Sequence, residues 1–254
     1  MLIKEKIIKN FSKYAHLYDL YSDMQKFSAK KLIEYLNCIP PKDILEIGCG
    51  TANYTKLLHK KFPFSFIDAI DLSAQMIEKA KEKLTYKNVN FYICDGENIK
   101  ETKKYDLITS NMCFQWFYNL EKSLLLYRSL LKKKGYILFS TVGPLTFYEL
   151  NCVISDLFGE NKIFLASNFK DKIMLEKLMK KIFKNVLIEE VIYKKSYTSI
   201  IKLFKHITYT GSKGVDLVKY ILTPRKLLKL QNLYKERFDK IVVTYQLIFC
   251  RGHR

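Results

Sequence analysis

Between Asp43 and Val142 short apolar runs alternate with amphipathic stretches, and this alternation limits the fold more than any other feature of the 254-residue chain. "DILEIG", "FSFIDAID", "VNFYIC", "YDLITS" and "YILFSTV" read as strands. "YTKLLHKKF", "SAQMIEKAKEKL" and "LEKSLLLYRSLLKKKG" read as helices. The second has Ser73 as its cap and Met76, Ile77, Ala80 and Leu84 on one face; the third reads as stopped by Gly135. Strands that alternate with helices form βαβ units with right-handed crossovers. The expected fold is therefore α/β, a Rossmann-like doubly wound sheet.

After Pro144 the rhythm changes. "LTFYELNCVISDLFG", "DKIMLEKLMKKIF", "SIIKLFKHI" and "TPRKLLKLQNLYKERF" read as helices, the last opened by Thr223 and Pro224. "VLIEEVIYKKSY" and "DKIVVTYQLIFCRG" read as strands. The whole chain, 1–254, reads as one domain. Its expected parts are a helical cover over 1–37, ended by Pro40-Pro41, and a ligand-binding core over 42–142. Helical lid segments follow over 144–184 and 198–240, with the last strands at 186–197 and 240–251. A helical lid inserted after the fifth strand would cover the carboxyl edge of the sheet, where ligands bind in this fold.

No apolar run approaches the roughly 20 residues of a membrane span, and the charged start "MLIKEKIIKNFSKYA" lacks an apolar signal core. A soluble, cytoplasmic protein with no membrane partner is expected. The six cysteines are scattered, with no C-x-x-C pair, which argues against a metal site and a disulfide framework. The net charge of +19 favours an acidic partner, yet only five of the 44 basic residues are arginine. Nucleic-acid binders lean on arginine for bidentate contacts. Compositional drift toward lysine is a competing explanation of the charge.

"LEIGCGTANY" places Gly48 and Gly50 between a strand and a helix, where the backbone can approach a ligand closely. Ala52 and Asn53 follow, so the dinucleotide pattern G-x-G-x-x-G is not met. Three acids end three adjacent strands: Glu46, Asp71 and Asp95, the last followed by Gly96. They would repel a phosphate and welcome a nucleoside that carries a cation. Asp71 stands about 20 residues after the turn, where an acid can bind ribose hydroxyls.

"EIGCGTA", "AIDLSAQMI" and "CDGENI" resemble the successive motifs of class I S-adenosylmethionine-dependent methyltransferases, over residues 42–142. That resemblance implies S-adenosylmethionine as cofactor. It places Gly48 and Gly50 along the methionine part with Glu46 beside it, and Asp71 on the ribose. Leu72 and Met76 would flank the adenine, Asp95 would accept from its amine with Gly96 adjacent, and Asn111 would lie near the amino-acid end.

The loop "SNMCFQWFYN" is unusually aromatic and holds Trp116, the chain's single tryptophan. Methyltransferases that act on base or amide nitrogen typically carry Asn/Asp-Pro-Pro-Tyr/Phe here, whereas this chain has Asn111-Met112-Cys113-Phe114. A carboxylate nucleophile fits better. It is ionised at neutral pH and needs no general base. Its charge and the sulfonium's disappear together as the ester forms, so a dry, apolar loop beside the methyl group suits it.

"SNMCFQWFYNL", the amino-terminal "FSKYAHLYD", the segment "FKHITYTGSKG" and the carboxy-terminal "IVVTYQLIFCRG" together resemble the BioC family. These are malonyl-acyl-carrier-protein O-methyltransferases of biotin synthesis. Trans-aconitate carboxyl methyltransferases share the N-x-x-x-Q-W pattern. Phe11, Tyr18 and "ITYTG" tip the choice. The resemblance implies methyl transfer to the free carboxylate of malonyl-acyl carrier protein, an acidic protein substrate. Small-molecule carboxyl methylation, and more remotely nucleic-acid methylation, are the alternatives. Tyr14 and Tyr18 are expected to close over the cofactor, with Tyr18, Gln115 and Trp116 serving the transfer and the last two walling the substrate. A cation is expected at the malonyl carboxylate, with Lys205, His206 and Lys213 as candidates.

Overall fold

The computed structural model describes residues 2–36, 40–100, 102–158, 166, 169–211 and 223–254. Seven strands form one sheet: β1 (Asp43–Ile47), β2 (Phe66–Asp71), β3 (Val89–Ile93), β4 (Tyr105–Asn111), β5 (Leu131–Val142), β6 (Lys184–Tyr197) and β7 (Ile241–His253). Their order is β3-β2-β1-β4-β5-β7-β6. The first five pair in parallel; β7 runs antiparallel to both β5 and β6. Order reverses between β1 and β4, which opens a crevice at their carboxyl ends.

Helices cover both faces, as a parallel sheet requires. Ile44, Ile67, Leu107 and Leu138 point to a core shared with α2 (Asp23–Glu34), α3 (Asn53–Lys61), α4 (Ala74–Lys83), α6 (Tyr148–Phe158), α8 (Ile200–Tyr209) and α9 (Pro224–Phe238). Leu45, Ile47, Ile108, Phe139 and Ile248 point the other way, onto α5 (Leu120–Leu130) and α7 (Lys172–Ile182). Alternate residues of one strand thus serve opposite cores. Fully burying each such side chain contributes about 1.5–3 kcal/mol.

Side-chain oxygens cap the helices where the sequence predicts. Ser73 accepts from the Met76 amide at 3.2 Å, and Thr223 accepts from Lys226 at 3.3 Å with Pro224 behind it. A buried carboxylate locks α6 to the sheet: Glu149 accepts the Thr244 amide at 2.7 Å and its hydroxyl at 2.6 Å. On the other flank Ser28 of α2 donates to Ser140 of β5 at 2.8 Å.

Three sequence expectations shift. The helix expected to stop at Gly135 ends at Leu130, and β5 begins at Leu131. Leu131 pairs with Tyr105, the register breaks, and Tyr136 pairs with Leu107. Gly135 sits inside that irregular stretch, where an added Cβ would lie 2.9 Å from the Tyr105 carbonyl oxygen. The amino-terminal cover is two helices, α1 (Leu2–Tyr21) and α2, separated at the buried Ser22. The segment 144–184 is not all lid. Its second helix, α7, buries Leu175, Met179 and Ile182 beside α5, on the face away from α2 and α3. From the second expected lid segment, α8 meets α1.

Candidate functional site

Two cavities open side by side at the carboxyl ends of the parallel strands. The first encloses about 770 Å³, mouth included, and is lined by Gly48 and Gly50 after β1, Asp71 and Leu72 after β2, and Asp95 and Gly96 after β3. Asn111 at the end of β4, Met112 and Cys113 after it, Met76 of α4, and Lys4, Phe11 and Tyr18 of α1 line it as well. The glycine turn explains its floor. Gly48 has φ +71° and Gly50 φ +53°, a left-handed backbone that glycine adopts without steric cost. Asp71 holds the turn in place: its carboxylate accepts from the Gly50 amide at 2.9 Å and the Ser73 amide at 2.9 Å. Burial raises the Asp71 pKa above the usual range, and the Ser73, Gly50 and Leu72 backbone amides oppose that rise.

Three acids do face this cavity, but Glu46 is not among them. Asp71, Asp95 and Glu97 are. Glu46 points from β1 toward α3 and is 1% exposed. Burial pushes its pKa up to about 8, with Thr55 opposing and Asp71 reinforcing the shift. Its Oε2 has no hydrogen-bond partner. Glu46 is thus a neutral acid beneath the turn at neutral pH, not a charge in the crevice. Asp95 behaves oppositely. Burial alone would raise its pKa, but Lys4, the Glu97 amide and Asn98 outweigh that and lower it.

The second cavity encloses about 640 Å³, mouth included. Met24, Gln25, Gln115, Thr146, Phe147, Phe169, His206, Thr210 and Tyr245 are among its walls. Phe11, Tyr18, Met112 and Trp116 line both cavities, so they form the partition. Phe11 and Phe169 each meet the Trp116 ring edge-on, with centroids 6.1 Å apart. Burial, together with Asp71 and Asp19, raises the Tyr18 pKa far above neutrality, so its phenol keeps its proton. Burial likewise keeps the Cys113 thiol protonated. The partition therefore carries no charge at neutral pH.

The aromatic loop serves two ends. Phe114 is core, 2% exposed and packed on Tyr127 and Phe139. Trp116 faces the cavities and Phe117 lines the first. The Gln115 amide binds its own loop: Nε2 donates to the Met112 carbonyl at 2.7 Å, and Oε1 accepts from Thr141 at 3.3 Å. Asn111 donates to the Gln25 carbonyl at 3.0 Å and accepts from Ser140 at 3.0 Å.

The expected cations fare differently. Lys205 is on the exposed side of α8 and lines neither cavity. Lys213 lies outside the described residues. His206 lines the second cavity but is not a cation at neutral pH: burial, then Lys195, lower its pKa to about 4, against the pull of Asp23. Tyr14 also lines neither cavity; its ring packs on Tyr209 with centroids 5.2 Å apart.

Sequence reasoning passed over Lys4, Met112, Glu97 and Gln25 as site residues. A signal for the first was present. Lys4, Phe11 and Tyr18 are spaced by seven, two helical turns, and so share one face of α1. For Gln25 no pattern in the sequence points to the cavity.

A methyltransferase-domain family matches residues 41–205. Malonyl-(acyl-carrier protein) O-methyltransferase 1 of Ilyobacter polytropus is 35% identical over 251 residues, covering 97% of this chain and 93% of that protein. The protein of that name from Bacillus cereus is 31% identical over 260 residues, covering 98% and 97%. Among solved structures, a putative methyltransferase from Bacillus halodurans superimposes with a TM-score of 0.62 at 15% identity, covering 89% of this chain and 98% of that one. The plantazolicin methyltransferase BpumL in complex with SAH gives a TM-score of 0.53 at 17% identity over the full length of both chains. These likenesses establish a class I methyltransferase fold.

Proposed function

Because the chain belongs to the malonyl-(acyl-carrier protein) O-methyltransferases, we propose that it moves the methyl group of S-adenosylmethionine onto the free carboxylate of malonyl-acyl carrier protein. The observation that carries this reading is the pair of cavities with an uncharged common wall: acids line one side, and apolar and neutral polar groups line the other.

The residues present fit the cofactor. A Cβ placed on Gly50 would meet nothing closer than the Tyr18 ring at 4.0 Å, so the turn leaves open space above it. Asp71, Asp95 and Glu97 give that space a negative field suited to a cationic nucleoside. Gly48 and Gly50 would hold the methionine part, Asp71 the ribose, Asp95 the adenine amine, and Leu72 and Met76 the adenine faces. When bound there, S-adenosylmethionine supplies an electrophilic methyl group on a cationic sulfonium.

The chain's own groups then have modest tasks. A carboxylate near its ordinary pKa is already ionised, so no side chain must take a proton. Tyr18 and Cys113, held protonated by burial, are unsuited to act as bases and do not compete as nucleophiles. Phe11, Met112 and Trp116 exclude water where opposite charges meet and vanish. Alignment across that wall is the main contribution. The ester product hides a charge that chain-elongating enzymes could not bury at low cost. It would enter pimeloyl synthesis for biotin in the cytoplasm.

Purified protein with methyl-labelled S-adenosylmethionine should label malonyl-carrier protein and leave trans-aconitate, tRNA and DNA unlabelled. Label in any of those three but not in the carrier overturns the reading. Restored growth without biotin, in a strain lacking its own malonyl methyltransferase, is the corresponding test in cells.

A further inference from the structure

We propose that the carboxylate to be methylated is held by two side chains of the second cavity, the His206 imidazole and the Gln25 side-chain amide, and not by a lysine or arginine. The inference rests on the carboxyl-methylating reading above and concerns the second cavity.

Among the described residues that line this cavity there is no lysine or arginine. Most of the wall is apolar or aromatic. The polar side chains divide into those already engaged and those that are not. Gln115 is tied within its own loop at both ends. Thr146 accepts from the Gln246 amide at 3.2 Å, and Thr210 donates to the His206 carbonyl at 2.9 Å. The Tyr245 hydroxyl is 3.2 Å from that of Tyr197. Tyr18 and Trp116 belong to the partition shared with the first cavity; His206 and Gln25 remain as polar groups of this cavity alone. His206 is 4% exposed, wedged against the Tyr21, Tyr197 and Tyr245 rings, and its ring nitrogens have no hydrogen-bond partner among the described residues. The Gln25 Oε1 is buried without a partner. A half-turn of the amide presents its NH2 group instead.

A buried, unpartnered amide beside a buried imidazole at one apolar cavity is costly unless a ligand pairs them. A neutral imidazole offers one N–H donor and a primary amide offers two, and a carboxylate accepts both kinds. Neutral donors also suit the chemistry. A lysine would form an ion pair with the carboxylate that weakens as the ester forms, stabilising the reactant over the transition state. Hydrogen bonds from His206 and Gln25 orient the group and oppose its neutralisation less. The same pair gives selectivity. An acetyl or butyryl thioester would leave both groups unpaired, a strong ground for rejection.

The test uses the full chain with malonyl-carrier protein. His206→Phe keeps a ring for the tyrosine contacts and removes the donor; Gln25→Leu keeps the volume; His206→Gln returns a neutral donor. Calorimetric affinity for S-adenosylmethionine reports folding, since neither residue lines the first cavity. We expect His206→Phe and Gln25→Leu each to lower kcat/KM roughly 10- to 100-fold with cofactor affinity within twofold of wild type. His206→Gln should recover most of the loss, and both damaging variants should bind acetyl-carrier protein relatively better than wild type does. Wild-type kinetics in His206→Phe, or a comparable loss in Lys213→Met alone, would overturn the inference while the function stands. No turnover of malonyl-carrier protein by the wild type would overturn both.

Discussion

The ammonium group of Lys4 lies 2.7 Å from Oδ2 of Asp95, and it sits at the same distance from Oε2 of Glu97. One end of α1 is thereby fastened to two of the three acids that line the first cavity. Phe11 and Tyr18, one and two heptads further along the same helix face, belong to the walls of both cavities. Ser12 adds a 2.8 Å hydrogen bond to Ser73, the cap of α4. The second cavity is complete only when α1 is docked over the first.

That coupling predicts an ordered reaction, cofactor first. Inhibition by the demethylated cofactor should be competitive with S-adenosylmethionine, and inhibition by the malonyl methyl ester should not be. Lys4→Met should raise KM for the acyl substrate about two- to fivefold, since a half-exposed ion pair contributes ~1 kcal/mol or less. Random-order product inhibition, or an unchanged KM in Lys4→Met, would count against α1 as the shared roof.

The two glycines of the turn should fail in different ways. A Cβ on Gly48 would lie 2.4 Å from Cys113 Sγ at φ +71°, whereas on Gly50 the nearest atom is 4.0 Å away at φ +53°. Both positions bear the left-handed penalty of roughly 1–2 kcal/mol. Only Gly48→Ala adds a clash inside the protein. Gly48→Ala should lower Tm clearly more than Gly50→Ala. The Gly50→Ala methyl group should chiefly weaken cofactor binding, because it projects into the cavity. Equal Tm losses would contradict this geometry.

Much of the sheet was legible because β1, β2 and β3 are short apolar runs that lead into glycine or acid. The order β3-β2-β1-β4 at the crevice comes from the structure; the pattern gives only the alternation of strands and helices. The start of β5 was not legible. Leu131 to Gly135 continues a lysine-rich helical pattern, and only pairing with Tyr105 makes it strand. Asp71 and Asp95 were legible as cavity acids because both stand at strand ends. Glu46 was misplaced for a reason of pleat: one residue before the end of a strand, its side chain faces α3 and not the crevice. Glu97 takes its place because Asp95 accepts the Glu97 amide at 3.0 Å, opening a turn of 3₁₀ helix. His206 was read by its residue type as a cation, yet charge state is set by burial that no local pattern reveals.

Glu46 should leave a mark on stability. Its folded pKa of about 8 stands above the ordinary glutamate value of about 4.5, so the native state keeps a proton that the unfolded chain has released. The stabilisation is fully present below about pH 4.5 and is lost as pH rises toward 8, after which it levels off. Relative to Glu46→Gln, which cannot ionise, the cofactor-free wild type should lose about 1.4 kcal/mol of stability per pH unit within that window. Changes in the rest of the chain's charge are common to both proteins and cancel in the difference. Denaturation curves that run parallel from pH 5 to pH 9 would show that Glu46 is ionised in the fold.

The net charge of +19 becomes testable once an acidic carrier is the substrate. Helix α8 buries His206, and its cap Thr210, against the second cavity and exposes Lys202 and Lys205 on its outer side. A basic surface there would steer an acidic partner from beyond contact distance, and salt would screen it, since the Debye length is about 10 Å at 0.1 M. Raising salt from 20 to 300 mM should lower kcat/KM for malonyl-carrier protein by about an order of magnitude. Malonyl-pantetheine, which reaches the same cavity without the protein, should respond little. The pair Lys202→Glu and Lys205→Glu should lower the low-salt rate on the carrier protein, flatten its salt dependence and leave malonyl-pantetheine turnover unchanged. If both substrates respond equally to salt and to the charge reversal, the lysines reflect composition and the carrier docks elsewhere.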